Sequence, residues 1–317
     1  REQNLAGYAQ YSHPLPFGQA NIGLRYEHVD FDYFENGTFV PGQSRVYDNI
    51  FPNISVNGQL GKVQFQVSYA AKTQRPNYSQ LRNNITYANR FTWQTGNPLL
   101  KPSVTHDITA VGVWRFFQAM VSYKVVRDYI LYWGTQVENQ SATTLINYIN
   151  HDRLPSLTVM LAASPTIGIW NLNASAIVMK QWFSLDAAGQ RRTYNNPLFV
   201  GSLNNTFTLP AGFLLSADFN YQSRGQVQNI TLKRPQYTLN IGLRKSLFND
   251  ALSIEARAND LLLGCKQEAL LYMESAQMKD LSWSDTRSFS LTVRYKFNAA
   301  KSKYKGTGAG QDTINRM

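Results

Sequence analysis

Ser288-Phe289-Ser290-Leu291-Thr292-Val293-Arg294-Tyr295-Lys296-Phe297 alternates without a break. Every odd position is apolar or aromatic, and every even position is polar or charged. A β-strand turns successive side chains to opposite faces, so this run has one apolar face and one wet face. The same pattern recurs along the whole chain, and no segment carries a strong helical period. Repeated two-faced strands with a wet inner side are the signature of a transmembrane β-barrel.

Thirteen such runs are read, over 3–13, 19–31, 48–60, 63–73, 104–115, 117–131, 147–164, 168–184, 194–209, 211–223, 236–248, 251–262 and 281–297. Val63, Phe65, Val67 and Tyr69 oppose Gln64, Gln66 and Ser68; Tyr237, Leu239, Ile241 and Leu243 oppose Thr238, Asn240 and Arg244. Two runs are less regular. Val111 and Val113 stand where polar residues are expected, and His151-Asp152-Arg153 blurs the alternation of 147–164. The connections fall into two classes. Tight ones are Pro14 to Gly18, Gly61-Lys62, Arg115-Phe116, Pro165-Thr166, Pro210 to Gly212 and Asn249-Asp250; longer ones are 32–47, 74–103, 132–146, 185–193, 224–235 and 263–280. The two classes alternate, as short periplasmic turns and long extracellular loops do in an up-and-down outer-membrane barrel. The expected fold is therefore all-β, a transmembrane antiparallel up-and-down β-barrel.

Composition agrees. Of 317 residues only 16% are charged, against about a quarter in globular proteins, while 13% are aromatic. The net charge of +11 comes from scattered Lys and Arg, with small clusters at Arg191-Arg192, Arg244-Lys245 and Lys301 to Lys305. Scattered charge argues against a nucleic-acid partner and for lumen, loop and lipid-headgroup contacts. A single cysteine, Cys265, makes neither an intrachain disulfide nor a four-ligand metal site. No stretch reaches the roughly 18 apolar residues of a membrane helix.

Loop parity sharpens the reading. The first and last strands both run from the loop side toward the turn side, so the chain is expected to enter from outside and leave on the periplasmic side. Complete bacterial barrels have even strand numbers. The expectation is thus a C-terminal barrel portion over 1–298, lacking N-terminal strands, followed by a flexible periplasmic tail over 299–317; the alternative is a miscounted hairpin in 130–165, which would leave a complete barrel of twelve or fourteen strands.

From Thr73 the sequence reads Thr-Gln-Arg-Pro-Asn-Tyr-Ser-Gln-Leu, and from Gln94 it reads Gln-Thr-Gly-Asn-Pro-Leu-Leu-Lys-Pro. With Gly23-Leu24-Arg25-Tyr26-Glu27, this resembles the outer-membrane β-barrel family of TonB-dependent receptors from Bacteroidetes-type bacteria. Arg75, Pro76, Tyr78, Leu81, Gly96, Asn97, Pro98, Leu100 and Pro102 carry the match. The chain departs at Arg82-Asn83, where the family carries Asn-Pro. The resemblance implies a barrel of about 22 strands with a plugged lumen. It implies a plug and a TonB-engaging segment N-terminal to the barrel.

No catalytic, cofactor-binding or metal-ligating set assembles from the sequence. His13, His28, His106 and His151 have no metal-motif spacing, and no nucleophile elbow or phosphate loop occurs. His106-Asp107 and His28 with Asp30 or Asp32 are the nearest approaches, and they read as polar strand ends. The candidate ligand contacts are Tyr78, Tyr87, Arg90 and Trp93, in a loop of the length that functional loops reach. Trp182, Phe183 and Trp283 read as interfacial aromatics. The expected function is an outer-membrane TonB-dependent receptor, not an enzyme and without cofactor. It would contact outer-membrane lipid, the TonB complex through a plug, and a nutrient of the glycan, siderophore or cobalamin class. The alternatives are a passive porin-like or structural barrel, a barrel enzyme, and a soluble propeller or sandwich.

Overall fold

The computed structural model describes residues 1–138, 140–274 and 277–297; the expected tail, 299–317, and residue 298 lie outside the described residues. Thirteen long strands form the body. They are β1 (Glu2–Leu15), β2 (Gly18–Phe31), β3 (Arg45–Leu60), β4 (Val63–Gln74), β5 (Ser103–Trp114), β6 (Phe117–Val137), β7 (Gln140–Ala163), β8 (Trp170–Gln181), β9 (Leu198–Leu209), β10 (Phe213–Gln222), β11 (Gln236–Leu247), β12 (Leu252–Asn259) and β13 (Ser288–Tyr295). Each pairs antiparallel with the next, so the order across the sheet is the order along the chain. Among the described residues no ladder joins β1 to β13.

The register settles the faces, because directly opposed residues share one. Ile241 lies between Ala217 and Ala258, and Leu243 between Leu215 and Ala256. Val121 lies between Ala110 and Val159. These positions form one outward belt, on which Ile22 is 54% and Leu291 71% exposed. A belt of that extent has no place in water and matches the lipid-facing band of a membrane barrel. The opposite face is hydrogen-bonded and polar. Asp107 accepts from Ser122 and Thr109 at 2.8 Å, and the Ser175 and Ser202 hydroxyls meet at 2.8 Å. Arg257 reaches Asp218 at 3.3 Å. Val111 and Val113 do interrupt this wall, opposite Gln66 and Gln64.

Two of the tight turns place Gly, Asn or Asp at a positive φ, whereas Arg115 (φ 55°), Ala211 (φ 58°) and Phe248 (φ 52°) take it at turns without that tolerance. Gly61 has φ 61°, and Asn249 and Asp250 have φ 52° and 64°. Such values cost little for Gly and are tolerated by Asn and Asp.

The loop end differs from the sequence expectation in three places. First, 132–146 is not a loop: β6 and β7 continue their ladder through Thr135↔Leu145. Asp128, at φ 48°, interrupts the alternation there. Even-numbered Val126 and odd-numbered Leu131 and Trp133 therefore share one buried cluster. Second, the expected strand 168–184 ends at Gln181, and Phe183–Ala187 instead pairs with Gln190–Tyr194 as a separate hairpin. Phe183 is 2% exposed in that same cluster, so it is a core residue rather than an interfacial aromatic. Third, the expected strand 281–297 divides. Gln277–Trp283 pairs with Lys266–Tyr272 in a small loop sheet, and only β13 joins the main sheet. Trp283 therefore stands on the loop sheet, with Lys266 Nζ 5.9 Å from its ring, and not in the membrane girdle. Within that loop sheet Glu268 is held by Lys279 and Arg234, both at 2.9 Å, which keeps its carboxyl below the usual range.

The longest strand pair thus rises beyond the membrane belt and meets the 183–194 hairpin in a compact apolar core. Tyr194 sits at its centre, 1% exposed, and burial pushes its phenol up to about 12.

Candidate functional site

The loop between β4 and β5, residues 75–102, divides into a fixed base and an exposed tip. The base is built from the motif residues. Asn77 N–H donates to Gln80 Oε1 at 2.9 Å and closes a single helical turn, Tyr78–Leu81. Leu81 and Leu100 are 8% and 3% exposed, and Pro76 is buried beside them. Gly96 passes against this turn so closely that a Cβ there would lie 2.4 Å from Gln80 O and 2.5 Å from Arg82 O. Asn97 then donates its N–H to Gln80 O at 2.6 Å and its side-chain amide to Tyr148 O on β7 at 2.9 Å. Its Oδ1 accepts from Leu99 N–H at 2.9 Å. Arg82 is extended, and its carbonyl forms part of the wall that Gly96 meets.

Gly96→Ala should therefore open this latch. We expect a loss of about 1–3 kcal/mol and faster proteolysis within 75–102, measured on folded protein in detergent. A rate equal to wild type would show that the base is not held by this contact.

Arg75 anchors the base to the inner wall. Its guanidinium bridges Glu2 at 3.1 Å and Glu27 at 2.8 Å, and Glu27 also takes Arg25 at 2.7 Å. These contacts span up to 73 residues of sequence, and no local pattern announces them. The available signal was weaker: Arg25 and Glu27 occupy inward positions of an alternating strand, where charge needs a partner.

The tip carries the four candidates. Short strands Thr86–Asn89 and Thr92–Gln94 pair, and the second runs parallel to Thr144–Ile146 on β7. Tyr87 and Trp93 meet edge to face with centroids 5.2 Å apart. Arg90 lies over Phe91 at 5.5 Å. Tyr78 is 55% and Tyr87 66% exposed, whereas Trp93 is half-buried. So the fold brings Tyr87 and Trp93 together, places Arg90 on the same hairpin, and leaves Tyr78 apart on the helical turn. Asn83 Nδ2 donates to Glu35 Oε1 at 3.0 Å and joins the tip to the preceding loop.

The histidines are accounted for by their neighbours. His106 Nδ1 meets Tyr69 OH at 2.9 Å on one face while Asp107 bonds Ser122 on the other, so the two do not act together. His28 lies 2.8 Å from Asp48 and 3.7 Å from Asp30, while the Asp32 N–H bonds Arg1 O.

A model of the outer membrane protein beta-barrel family matches residues 1–295. The chain belongs to that family. It is an outer-membrane β-barrel chain, and its loop-to-turn polarity follows from that placement. No curated protein matches it by sequence. Among solved structures it is similar to the copper transporter OprC, with TM-score 0.65 and 14% identity over 93% of this chain and 48% of that one. It is similar to the FrpB iron transporter from Neisseria meningitidis (F3-3 variant), with TM-score 0.56 and 13% identity over 93% and 44%. A third is the siderophore receptor PiuA from Acinetobacter baumannii, with TM-score 0.57 and 11% identity over 93% and 43%. At these identities the likeness is one of fold. The chain spans less than half the length of each.

Proposed function

We propose that this chain forms part of the wall of an outer-membrane importer energised through TonB. In this reading residues 1–298 contribute the C-terminal portion of a larger barrel. The observation that carries it is the two-part loop 75–102. Its base is latched to β7 by Asn97 and to the inner wall by Arg75, and its tip holds Tyr87 against Trp93 beside Arg90. A fixed aromatic pair with a neighbouring guanidinium suits a bulky nutrient, such as a siderophore, a glycan or a cobalamin-class ligand, through stacking and hydrogen bonds. Three similar structures are described as transporters or receptors for copper, iron or siderophores, which supports the importer reading.

The test uses the whole protein in cells grown on ferric siderophores, glycans or cobalamin as sole sources. For the substrate that supports growth, uptake should stop when TonB is deleted. Tyr87→Ala with Trp93→Ala should weaken binding at least tenfold while barrel assembly stays intact. Uptake that persists without TonB would instead establish the passive, porin-like alternative. Unchanged binding in the double variant would move the ligand site elsewhere.

A further inference from the structure

The outward face of β6 to β9 carries, at its extracellular end, a feature that the lumen and loop chemistry does not use. Arg127 on β6 and Arg153 on β7 are directly opposite one another in the ladder. Like charges in that relation repel. Both side chains belong to the outward face, since Val125 and Pro155, two positions below, line the same exterior hollow while Val126 and Leu154 are buried inside. Among the described residues neither arginine has a carboxylate within 4.0 Å.

The hollow has a volume of about 660 Å³ and lies between these strands and the outer side of the 183–194 hairpin. Arg153 and Arg191 line it together with Tyr123 and Trp182, and Lys180 Nζ stands 5.6 Å over the Trp182 ring. Asp152 is the carboxylate on its lining, and Asp186 is already paired with Arg191 at 3.0 Å. His151 is also on the lining, edge to face with Phe183 at 4.6 Å. Cations therefore exceed anions at a point where the barrel leaves the membrane.

Below the hollow the same face becomes apolar. A groove of about 740 Å³ runs between Trp114 and Phe117 on one side and Phe199 and Tyr221 on the other. Its upper wall is continuous with the hollow: Phe199 is the ladder partner of Val178, and Lys180 is the next outward position above. From Ala176, in the groove, to Lys180 is four residues, about 13 Å along a strand. That distance is within the reach of one acyl chain below its headgroup.

We propose that this face binds a phosphate-bearing, acylated lipid of the outer leaflet. Its phosphate would sit among Arg127, Arg153, Lys180 and Arg191, and an acyl chain would lie in the groove beneath. Charge complementarity selects an anionic headgroup, as basic clusters at membrane surfaces do. The apolar groove selects a lipid over a free anion, and the aromatic rim marks the headgroup level. An anion between Arg127 and Arg153 also removes the repulsion that their register creates. The inference rests on the membrane placement of the chain and not on the transported ligand.

The test measures lipid retention by the whole detergent-purified protein, by native mass spectrometry, with phosphorylated lipid A, its dephosphorylated form and inorganic phosphate as probes. Wild type should hold phosphorylated lipid A at least tenfold more tightly than the dephosphorylated form, and millimolar phosphate should not displace it. The triple change Arg127→Gln, Arg153→Gln and Lys180→Gln should abolish that preference. Arg153→Lys should retain it, and it stands in if the triple variant does not assemble, with Arg153→Gln as its partner. Ala176→Trp should weaken both lipids by filling the groove. Equal retention of the two lipids by wild type, or an undiminished preference in the Gln variants, would overturn the proposal. Full displacement by phosphate would make this a free-anion site, and indifference to Ala176→Trp would remove the acyl chain from the groove; either result also overturns it.

Discussion

Ile241→Arg lowers the stability of the barrel by roughly 2–4 kcal/mol, the cost of a cation on the lipid face near the bilayer midplane. Ile241 lies in the middle of β11, between Ala217 and Ala258, and is 38% exposed on the outward belt. Neither alanine has a group that can solvate a guanidinium, and the two turn classes at the ends of β11 put this residue far from both interfaces. The control lies on the other face. Thr292 is opposite Glu255 on the inner wall, so Thr292→Lys places a cation in a polar lumen beside a carboxylate and changes stability by less than about 1 kcal/mol. Asn240 is a poorer control. Its Oδ1 accepts the Asp260 N–H at 2.9 Å, and replacing it forfeits about 1 kcal/mol of hydrogen bonding. Denaturant unfolding of protein refolded into vesicles measures all three. Equal costs for Ile241→Arg and Thr292→Lys would reverse the assignment of faces.

Arg75→Met costs about 3 kcal/mol, at the low end of the range for breaking a buried ion pair. Glu27 is 9% exposed and keeps Arg25 as a cation partner at 2.7 Å, which moderates the loss. Arg75 also positions Pro76 and, through it, the helical turn that Gly96 and Asn97 clasp. The effect should therefore appear twice, as a lower unfolding temperature and as increased protease access to 75–102. Adding Glu27→Gln to Arg75→Met should recover at least about 1 kcal/mol, because the carboxylate then no longer needs a second cation. A single Arg75→Met variant that melts like wild type would show that the network is not holding the loop base.

Most of the sheet was legible because lipid on one side and a polar lumen on the other impose a strict period of two. Within the membrane belt that contrast persists along most strands, as in Tyr237 to Arg244 and Phe289 to Tyr295, with Val111 and Val113 as exceptions. Above the belt it fails. Tyr129, Leu131 and Trp133 are covered by the 183–194 hairpin rather than by lipid, and Asp128 shifts the alternation by its positive φ. Past that interruption these side chains turn into the inner core that Val126 and Leu154 also line, so the period set by lipid outside and lumen inside is lost and 132–146 reads as loop although it is strand. The division of 281–297 was hidden for a related reason: Leu281 and Trp283 carry the odd-position apolar pattern into a strand that belongs to another sheet.

The loop was legible in part. The spacing of Gly96-Asn97-Pro98 after Arg75-Pro76 marked the right segment, and the structure assigns those residues to the latch. Tyr87 and Trp93 were visible as aromatics in a long loop, but only the pairing of 86–89 with 92–94 sets one against the other.

By itself the sequence determined the two-faced strands, their number and order, and which end carries the long loops, because each follows from local periodicity and loop length. Only the tertiary structure decided which charges meet, as Arg75 with Glu2 and Glu27, and which arginines are left facing each other, as Arg127 with Arg153. Such pairings join residues far apart in the chain and depend on sheet register, which shifts every partner when it moves by one residue.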